Sequence, residues 1–495
     1  MVADLDAYRR DAERFSEELS REYYFHLSGR KADLALGPIY ESHAGLFERD
    51  AVERIGQWRA AASGEEERRL RYLHMFALEG HLGAATREQE ARLAELEATL
   101  AVEVPGEPMP YRAAAVAQAN EPDAGRRSEI EAARNVVLEG KLNPLHREQL
   151  EAWHAIVREL GWPSYLDAYC DLRALDLRAL ARRLAEFAED TAEAYPHVAD
   201  PEFERTAGRR LGELERSDLP RVFRAEHLDA DFPPERLVAS FRKTLTGLGI
   251  DLDAQENVLL DTESRPSKSP RAFCATPLVP EEVYLVVPPI GGREDYSALF
   301  HEGGHAEHYG STEAALPFEF RHLGDNAVTE SFAFLLEGLT GDPAWLEAVL
   351  GAEDARPAIE HARAARLVFL RRYSAKVAYE VELHDAGADV DAMRERYSEL
   401  LGERVGVDWP GVSWIADVDP GFYVACYLRA WALEVGWRRA LRVRFGDAWF
   451  QEAEAGAWLR ALWARGQSLD AEELLAETTG EELDFRALAS ELTAV

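Results

Sequence analysis

Two histidines and a glutamate lie within one five-residue segment, His301-Glu302-Gly303-Gly304-His305. Residues four apart on a helix project from the same face, so both imidazoles can bind a single zinc ion. The glutamate lies beside that face, where its carboxylate can take a proton from a zinc-bound water molecule and pass it to a leaving amine. The pattern therefore predicts one Zn²⁺ per chain and metal-assisted hydrolysis.

A catalytic zinc site also needs a third protein ligand and an open position. Glu330 is our candidate, because it follows His305 by 25 residues and lies in the apolar segment 326–337, whose pattern predicts a helix. A lone glutamate on a helix is usually a solvated surface residue. Here Val328 and Phe332 are among its neighbours, and a carboxylate in apolar surroundings needs a partner such as a metal ion.

The segment that carries the two histidines must be helical for this geometry. Asp295 or Ser297 is expected to cap its start. Gly303 and Gly304 would lie inside the helix, where each costs about 1 kcal/mol relative to alanine. Such glycines are accepted more readily where another part of the backbone or a ligand must come close.

These residues resemble the thimet oligopeptidase and oligoendopeptidase F family of zinc metallopeptidases. That family has an HExGH motif, a glutamate ligand about 25 residues later and a further glutamate seven residues beyond it. The segment 268–274 is similar to the family's Lys-Arg-x-Gly-Ala-Phe-Cys, and 466–475 is similar to its closing Gly-x-Ser-x-x-x-x-Glu-Leu. The resemblance extends over roughly 256–480, and the matching site residues are His301, Glu302, Gly304, His305, Glu330 and Glu337.

The resemblance also implies roles for residues around the metal. The segment 422–428 is similar to a tyrosine-rich family segment, so Tyr423, and less strongly Tyr427, would donate hydrogen bonds to the tetrahedral oxyanion and the substrate. A core aromatic stripe is the alternative explanation of these two tyrosines. His308 matches a histidine common just after the family's motif, and we expect it to contact substrate because it lies close to the ligands in the sequence. We expect Glu337 to fix a ligand histidine through a hydrogen bond.

The tyrosine-rich segment departs from the family pattern more than the metal ligands do. Asp419, Phe422 and Ala430 replace the family's histidine, glycine and last tyrosine, and Ala333 replaces a serine after the zinc glutamate. The metal ligands match, whereas the segment expected to face the substrate has diverged. The mode of cleavage is therefore open.

The function predicted from the resemblance is hydrolysis of short peptides by an oligoendopeptidase. One alternative is a carboxypeptidase or dipeptidase on the same scaffold, with Arg429 holding the substrate's C-terminus; angiotensin-converting enzyme-like and thermostable carboxypeptidase-like enzymes share a similar helical architecture. The other alternative is a catalytically silent peptide-binding module, although the presence of Glu302 argues against it.

The fold is predicted to be mostly α, because helical periodicity and helix-forming residues prevail along the chain. A small β-sheet is expected at about 256–290, beside the zinc helix, from short β-branched and aromatic runs. The resemblance implies two helical lobes around a deep substrate channel, which we assign as an N-terminal lobe (1–195) and a catalytic lobe (196–495). Helices are expected at 1–30, 45–62, 64–102, 126–139, 146–160 and 172–195, and strands at 257–261, 272–274 and 283–287.

Composition limits the partners and the compartment. The 495-residue chain has a formal net charge of −35, which disfavours binding to nucleic acid or to anionic membranes. Its three cysteines lie far apart in the sequence and indicate no disulfide framework. No secretory signal and no apolar run of membrane-spanning length is evident. We therefore expect a cytoplasmic protein that acts on short peptides.

Overall fold

The computed structural model describes residues 4–494, and these are mostly helical, as the sequence predicts. The predicted helix at 1–30 is confirmed over Leu5–Leu27, whereas residues 1–3 and 495 lie outside the described part of the chain. In chain order the α-helices are α1 (Leu5–Leu27), α2 (Leu36–Ser42), α3 (Arg49–Ala61), α4 (Gly64–Ala85), α5 (Arg87–Thr99), α6 (Tyr111–Asn120), α7 (Ala124–Val137), α8 (Asn143–Glu159), α9 (Tyr165–Leu172), α10 (Leu177–Asp190), α11 (Tyr195–Ala207), α12 (Leu219–Arg224), α13 (Pro234–Gly247), α14 (Arg293–Ser311), α15 (Asn326–Glu337), α16 (Pro343–Trp345), α17 (Arg356–Leu383), α18 (Met393–Val405), α19 (Tyr423–Phe445), α20 (Ala453–Trp463), α21 (Ala471–Thr479) and α22 (Phe485–Thr493).

The predicted small sheet is present as three strands, β3 (Val258–Asp261), β4 (Phe273–Leu278) and β5 (Glu282–Val286). Their order is β3-β5-β4, with β3 parallel and β4 antiparallel to the central β5. The strand β4 therefore lies at an edge of the sheet. It continues past the predicted end at residue 274, and it contacts both α1 and α14.

A second, two-stranded sheet was not predicted. The strands β1 (Ala101–Val104) and β2 (Glu107–Pro110) form an antiparallel hairpin. The prediction of one helix over 64–102 is wrong in two respects. The structure has two helices there, with α4 ending at Ala85 and α5 beginning at Arg87. The second helix stops at Thr99, and the chain turns at Gly106, whose φ is +90°. A glycine adopts such a φ without the steric strain that other residues would have.

The chain divides into two compact units, and neither is continuous in sequence. The first unit consists of the described part of Met1–Leu78 with Leu228–Ile359 and Arg429–Asp484, and the second consists of Glu79–His227 and Glu360–Leu428 with the described part of Phe485–Val495. The domain boundary expected between residues 195 and 196 stays a prediction.

Each unit has its own apolar packing around a sheet. In the first unit, the ring of Tyr24 on α1 stacks on Tyr284 of β5, with ring centroids 3.6 Å apart, and Val286 is buried beside them. In the second unit, Val102 and Val104 of the β1–β2 hairpin are buried against residues from α5, α6 and α7. Within residues 4–494, no helix is both long enough and apolar enough to cross a membrane.

Candidate metal centre

The helix α14 carries the His-Glu-Gly-Gly-His segment and begins at Arg293. The prediction that Asp295 or Ser297 caps this helix is wrong, because Gly292 occupies the capping position with a φ of +88°. Asp295 lies within the first turn instead, and its Oδ2 accepts a hydrogen bond from the backbone N–H of Gly291 at 2.8 Å. The carboxylate therefore ties the incoming chain to the helix start without capping it.

The two glycines inside α14 are explained by close packing on two sides. A Cβ atom on Gly303 would lie 2.3 Å from the ring of Phe241 on α13. A Cβ atom on Gly304 would lie 2.6 Å from both the Cα of Ala333 and the carbonyl oxygen of Phe332. The atoms close to Gly304 belong to the backbone of α15, which cannot move aside as a side chain can. Gly304 thus allows α14 and α15 to approach closely.

This approach brings together the three predicted ligands, His301, His305 and Glu330. The Nε2 atoms of His301 and His305 lie 3.4 Å and 3.7 Å from the same carboxylate oxygen, Oε2 of Glu330. One ligand atom from each of the three residues lies within 4.8 Å of the others. Two ligands bound to a tetrahedral zinc ion at about 2.1 Å are themselves roughly 3.4 Å apart. The donor types and their spacing therefore fit a single zinc ion.

The outer nitrogen of each imidazole has its own hydrogen-bond partner. The Nδ1 of His301 lies 2.9 Å from Oε2 of Glu337, and the Nδ1 of His305 lies 2.8 Å from Oγ1 of Thr329. Imidazoles that bind metals commonly donate their other N–H in this way, which fixes the ring orientation and leaves Nε2 free to bind the metal. The helix α15 supplies both partners as well as Glu330.

The two imidazoles differ in their electrostatic surroundings. Burial opposes the charged form of His301, but the hydrogen bonds that its ring nitrogens donate to the carboxylates of Glu330 and Glu337 outweigh burial and hold the pKa of this imidazole well above its usual value. Burial lowers the pKa of His305 to about 4, although Glu330 acts in the opposite direction. Two carboxylates around His301 thus create a negative environment that favours a cation.

Glu302 lies beside the ligands, and a backbone group of the sheet holds its carboxylate. Oε2 of Glu302 accepts a hydrogen bond from the N–H of Cys274 on β4 at 2.8 Å. Burial raises the pKa of Glu302 to about 7, while the neighbouring His301 and the Cys274 N–H lower it. A carboxyl group whose pKa is close to neutrality can both accept and return a proton at neutral pH.

His308 was predicted to contact substrate, and the structure places it in the interior. Its side chain is fully buried, stacked on Tyr309 and packed against Phe332, with ring centroids 5.1 Å and 4.9 Å away. Burial lowers the pKa of this imidazole to about 3. The geometry is that of an uncharged core residue, and a contact with substrate stays a prediction.

Arg429 was predicted to hold a substrate C-terminus, yet its charge is balanced within the fold. Nη1 and Nη2 donate to the two carboxylate oxygens of Asp325 at 3.0 Å and 2.7 Å. Nε donates to Glu472 at 2.8 Å, and Nη2 contacts the same carboxylate. Asp325 also caps the N-terminus of α15. Arg429 therefore ties the start of the ligand-bearing helix to α19 and α21, and this geometry gives no support to its predicted role in binding substrate.

The predicted oxyanion donors, Tyr423 and Tyr427, belong to the second unit. They pack edge to face with ring centroids 5.1 Å apart, and Tyr427 also stacks on Tyr373. Both are half-buried. They follow Gly421 and Phe422, which have successive positive φ values of +64° and +57°. The catalytic roles of the two tyrosines stay predictions.

Three contributions to the centre were missed from the sequence: the hydroxyl of Thr329, the ring of Tyr309 and the backbone N–H of Cys274. Thr329 could have been suspected, because it directly precedes Glu330 on the same helix. The backbone contribution of Cys274 leaves no signal in residue type, since every residue except proline has an N–H.

Comparison with known proteins shows a shared fold. No family model matches the chain, and no curated protein matches it in sequence. Among solved structures, the chain is similar to a carboxypeptidase from Pyrococcus furiosus, in a structure described as apo-Mg. The TM-score is 0.62, the sequence identity is 16%, and the match covers 99% of this chain and 97% of that chain. The mostly helical architecture is thus that of this carboxypeptidase along nearly its whole length.

Proposed function

We propose that this protein is a zinc-dependent metallopeptidase that hydrolyses short peptides. The observation that carries the proposal is the convergence of His301 Nε2 and His305 Nε2 on one carboxylate oxygen of Glu330. A buried carboxyl group, that of Glu302, lies next to this cluster and has a pKa near neutrality. Two imidazoles and one carboxylate around an open position form the ligand set of a catalytic zinc site, whereas structural zinc sites use four protein ligands.

In this proposal, Glu302 performs the proton transfers. Its carboxylate accepts a proton from the attacking water as the water oxygen bonds to the scissile carbonyl carbon. It then gives this proton to the amide nitrogen as the C–N bond breaks, which releases a carboxylic acid and an amine. The proton that remains on the acid then passes to the amine, so that the products at neutral pH are a carboxylate and an ammonium group. The hydrogen bond from Cys274 holds one oxygen of Glu302 in place during both steps. A bound zinc ion would polarise the carbonyl and lower the pKa of water towards roughly 7.

We favour a carboxypeptidase over the oligoendopeptidase expected from the sequence motifs. The support is the fold shared with the Pyrococcus furiosus carboxypeptidase over nearly the full length of both chains. The motif that matches the oligoendopeptidase family most closely is the set of metal ligands, which a carboxypeptidase can share, whereas the tyrosine-rich segment expected to face the substrate departs from the family pattern. Oligoendopeptidase activity remains the alternative. The absence of nucleic-acid and membrane partners and the cytoplasmic location stay predictions.

A carboxypeptidase needs a positive group for the substrate's terminal carboxylate, and we propose Arg271. It is exposed and lies three residues before Cys274, whose N–H holds Glu302. Three residues span at most about 10 Å, and a terminal carboxylate lies only roughly 4 Å beyond the scissile bond. An arginine side chain is long enough to cover much of the difference. The family segment quoted above has glycine at this position, so the guanidinium is a feature of this chain.

Within the described part of the chain, the guanidinium of Arg271 is not neutralised by an ion pair, and neighbouring residues hold its segment in place. Among residues 4–494, no carboxylate pairs with its guanidinium. The side chain of the neighbouring Lys268 is buried and pairs with the carboxylate of Asp261. Its ammonium also donates to the backbone carbonyls of Asp261, Glu263 and Val287. The backbone N–H of Ser269 donates to Leu27 at the end of α1. A fixed segment that presents one unpaired guanidinium suits recognition of a carboxylate.

A matched pair of peptides tests this proposal. The wild type should cleave the last residue from a peptide with a free C-terminus at least tenfold faster, in kcat/KM, than from the same peptide with a C-terminal amide. Arg271→Gln should lose most of this preference through a higher KM for the free acid. Arg14→Gln, at an exposed arginine on α1, should keep it. If the wild type cleaves internal bonds of the amidated peptide as fast as it cleaves the peptide with a free C-terminus, the result would instead support the oligoendopeptidase.

A further inference from the structure

The hydroxyl of Thr329 is the polar contact that the structure gives to the outer nitrogen of His305. Oγ1 lies 2.8 Å from Nδ1, and the threonine is only 3% exposed. A hydroxyl has one proton to donate and two lone pairs to accept with. It can accept the Nδ1–H of His305 and still bond to another group.

The second group is Tyr309, one helical turn after His305 on α14. Its ring lies nearly parallel to the imidazole of His305, with an interplanar angle of 27° and ring centroids 6.4 Å apart. Burial raises the pKa of its phenol, and a hydrogen bond with the side chain of Thr329 opposes this shift. Thr329 therefore contacts the edge of the imidazole, and the ring of Tyr309 lies beside the imidazole, nearly parallel to it. Together they restrict both rotation of the ring and the choice of tautomer.

The position of Thr329 in the chain couples this contact to the third ligand. Thr329 and Glu330 are adjacent on α15, so a displacement of this helix would move the Glu330 carboxylate and the hydroxyl that orients His305 together. The opposite imidazole, His301, is held differently, by the carboxylate of Glu337 at 2.9 Å. One ligand thus has a charged partner and the other a neutral one.

We infer that Thr329 and Tyr309 are positioning residues that fix the Nε2 of His305 towards the metal. This inference rests on the proposed metal centre and extends it to two residues that neither bind the metal nor react. Removing an outer hydrogen-bond partner of a metal-binding imidazole typically weakens metal affinity by about 10- to 100-fold. A loss in that range is the expected effect of removing the hydroxyl of Thr329.

The experiment measures the zinc dissociation constant by competition with a chelating dye, on folded full-length variants. Thr329→Val removes the hydroxyl at nearly constant volume, whereas Thr329→Ser keeps it. Tyr309→Phe removes the phenol but keeps the ring. Thr312→Val is the matched control, because the buried hydroxyl of Thr312 donates to the carbonyl of His308 and not to a ligand. The visible spectrum of the cobalt-substituted protein gives an independent view of the ligand geometry.

We expect Thr329→Val to weaken zinc binding by at least tenfold and to change the cobalt spectrum. Thr329→Ser and Thr312→Val should stay within about threefold of the wild type, and Tyr309→Phe should lie between. Wild-type affinity in Thr329→Val would overturn the inference. If that variant does not fold, wild-type affinity and an unchanged cobalt spectrum in Tyr309→Phe would overturn it equally. Tight zinc binding without peptide hydrolysis by the wild type would instead refute the proposed function and leave this inference standing.

Discussion

At the residue scale, the centre consists of a few polar side chains, each with a separate task. His301, His305 and Glu330 supply the metal-binding atoms, and their distances fit one ion. Glu302 shares the helix of the histidines but is held by the sheet, through the N–H of Cys274. Because a different element supports it, the proposed base can keep its position whether or not it carries a proton.

Replacing Glu302 with glutamine tests this separation of tasks. Glutamine keeps the size of the side chain but cannot accept the proton, so kcat for peptide hydrolysis should fall by about 10²- to 10⁴-fold. Zinc content should stay at the wild-type level, because Glu302 is not a ligand. Glu294→Gln, at an exposed position in the first turn of α14, should leave kcat unchanged. Loss of zinc from Glu302→Gln would show that the residue holds the metal.

The sequence could identify the metal ligands because each stands in a recognisable local pattern. His301 and His305 are four apart on one helix, so their convergence follows from helical geometry alone. Glu330 was found because an acidic residue stands in an apolar run. Nothing in the sequence showed that Arg429 would meet Asp325, since the two are far apart in the chain and their pairing depends on how α15 and α19 pack.

At the element scale, the close approach of α14 and α15 is the feature that creates the centre. The helix α14 carries two ligands, and α15 carries the third together with the partners of both imidazoles. Gly304 lies where the backbones come closest. The start of α15 is fixed by the Asp325 cap and by Arg429. Both contacts set the position of Glu330 relative to the histidines.

The variant Gly304→Ala tests the importance of this approach. Its new methyl group would press on the backbone of α15, so we expect a loss of about 1–3 kcal/mol in the free energy of unfolding, together with weaker zinc binding. Gly83→Ala is the control, because a Cβ at Gly83 in α4 meets no atom within 4 Å, and it should be neutral or slightly stabilising. Denaturant unfolding and zinc titration measure the two effects. Wild-type values for Gly304→Ala would contradict the packing argument.

The elements themselves were predictable where their periodicity was strong. The long helices and the three strands before α14 follow from patterns within single segments. The β1–β2 hairpin was missed because its strands have four residues each and follow a strongly helical run. The cap of α14 was missed because Gly292, which has no side chain to accept a hydrogen bond, occupies the position where an aspartate or serine was expected.

At the scale of the whole molecule, the two units are each assembled from three separate stretches of chain. A sequence pattern reports the period within one segment and does not show which distant segments pack together. This is why a division at one point in the chain was the natural expectation. All the predicted metal ligands lie in the first unit, to which both the N-terminal helix α1 and the late segment Arg429–Asp484 contribute.

Zinc should stabilise the folded chain, because its ligands come from two helices that are brought together only by folding. A ligand that binds the folded state alone stabilises it by about 4 kcal/mol when present at 1,000 times its dissociation constant. We therefore expect added zinc to raise the Tm of the first unfolding transition by several degrees, and a chelator to reverse the change. Calorimetry of Glu330→Ala, with zinc and without, should show little or no shift.

The most direct test of the metal centre is a count of tightly bound zinc. Protein is loaded with zinc, freed of excess by gel filtration and analysed for metal and protein. The wild type should retain one zinc ion per chain, and His301→Ala, His305→Ala and Glu330→Ala should each retain almost none. His322→Ala, at a histidine outside the ligand set, should match the wild type. Retention of one zinc ion by Glu330→Ala with wild-type affinity would contradict the account.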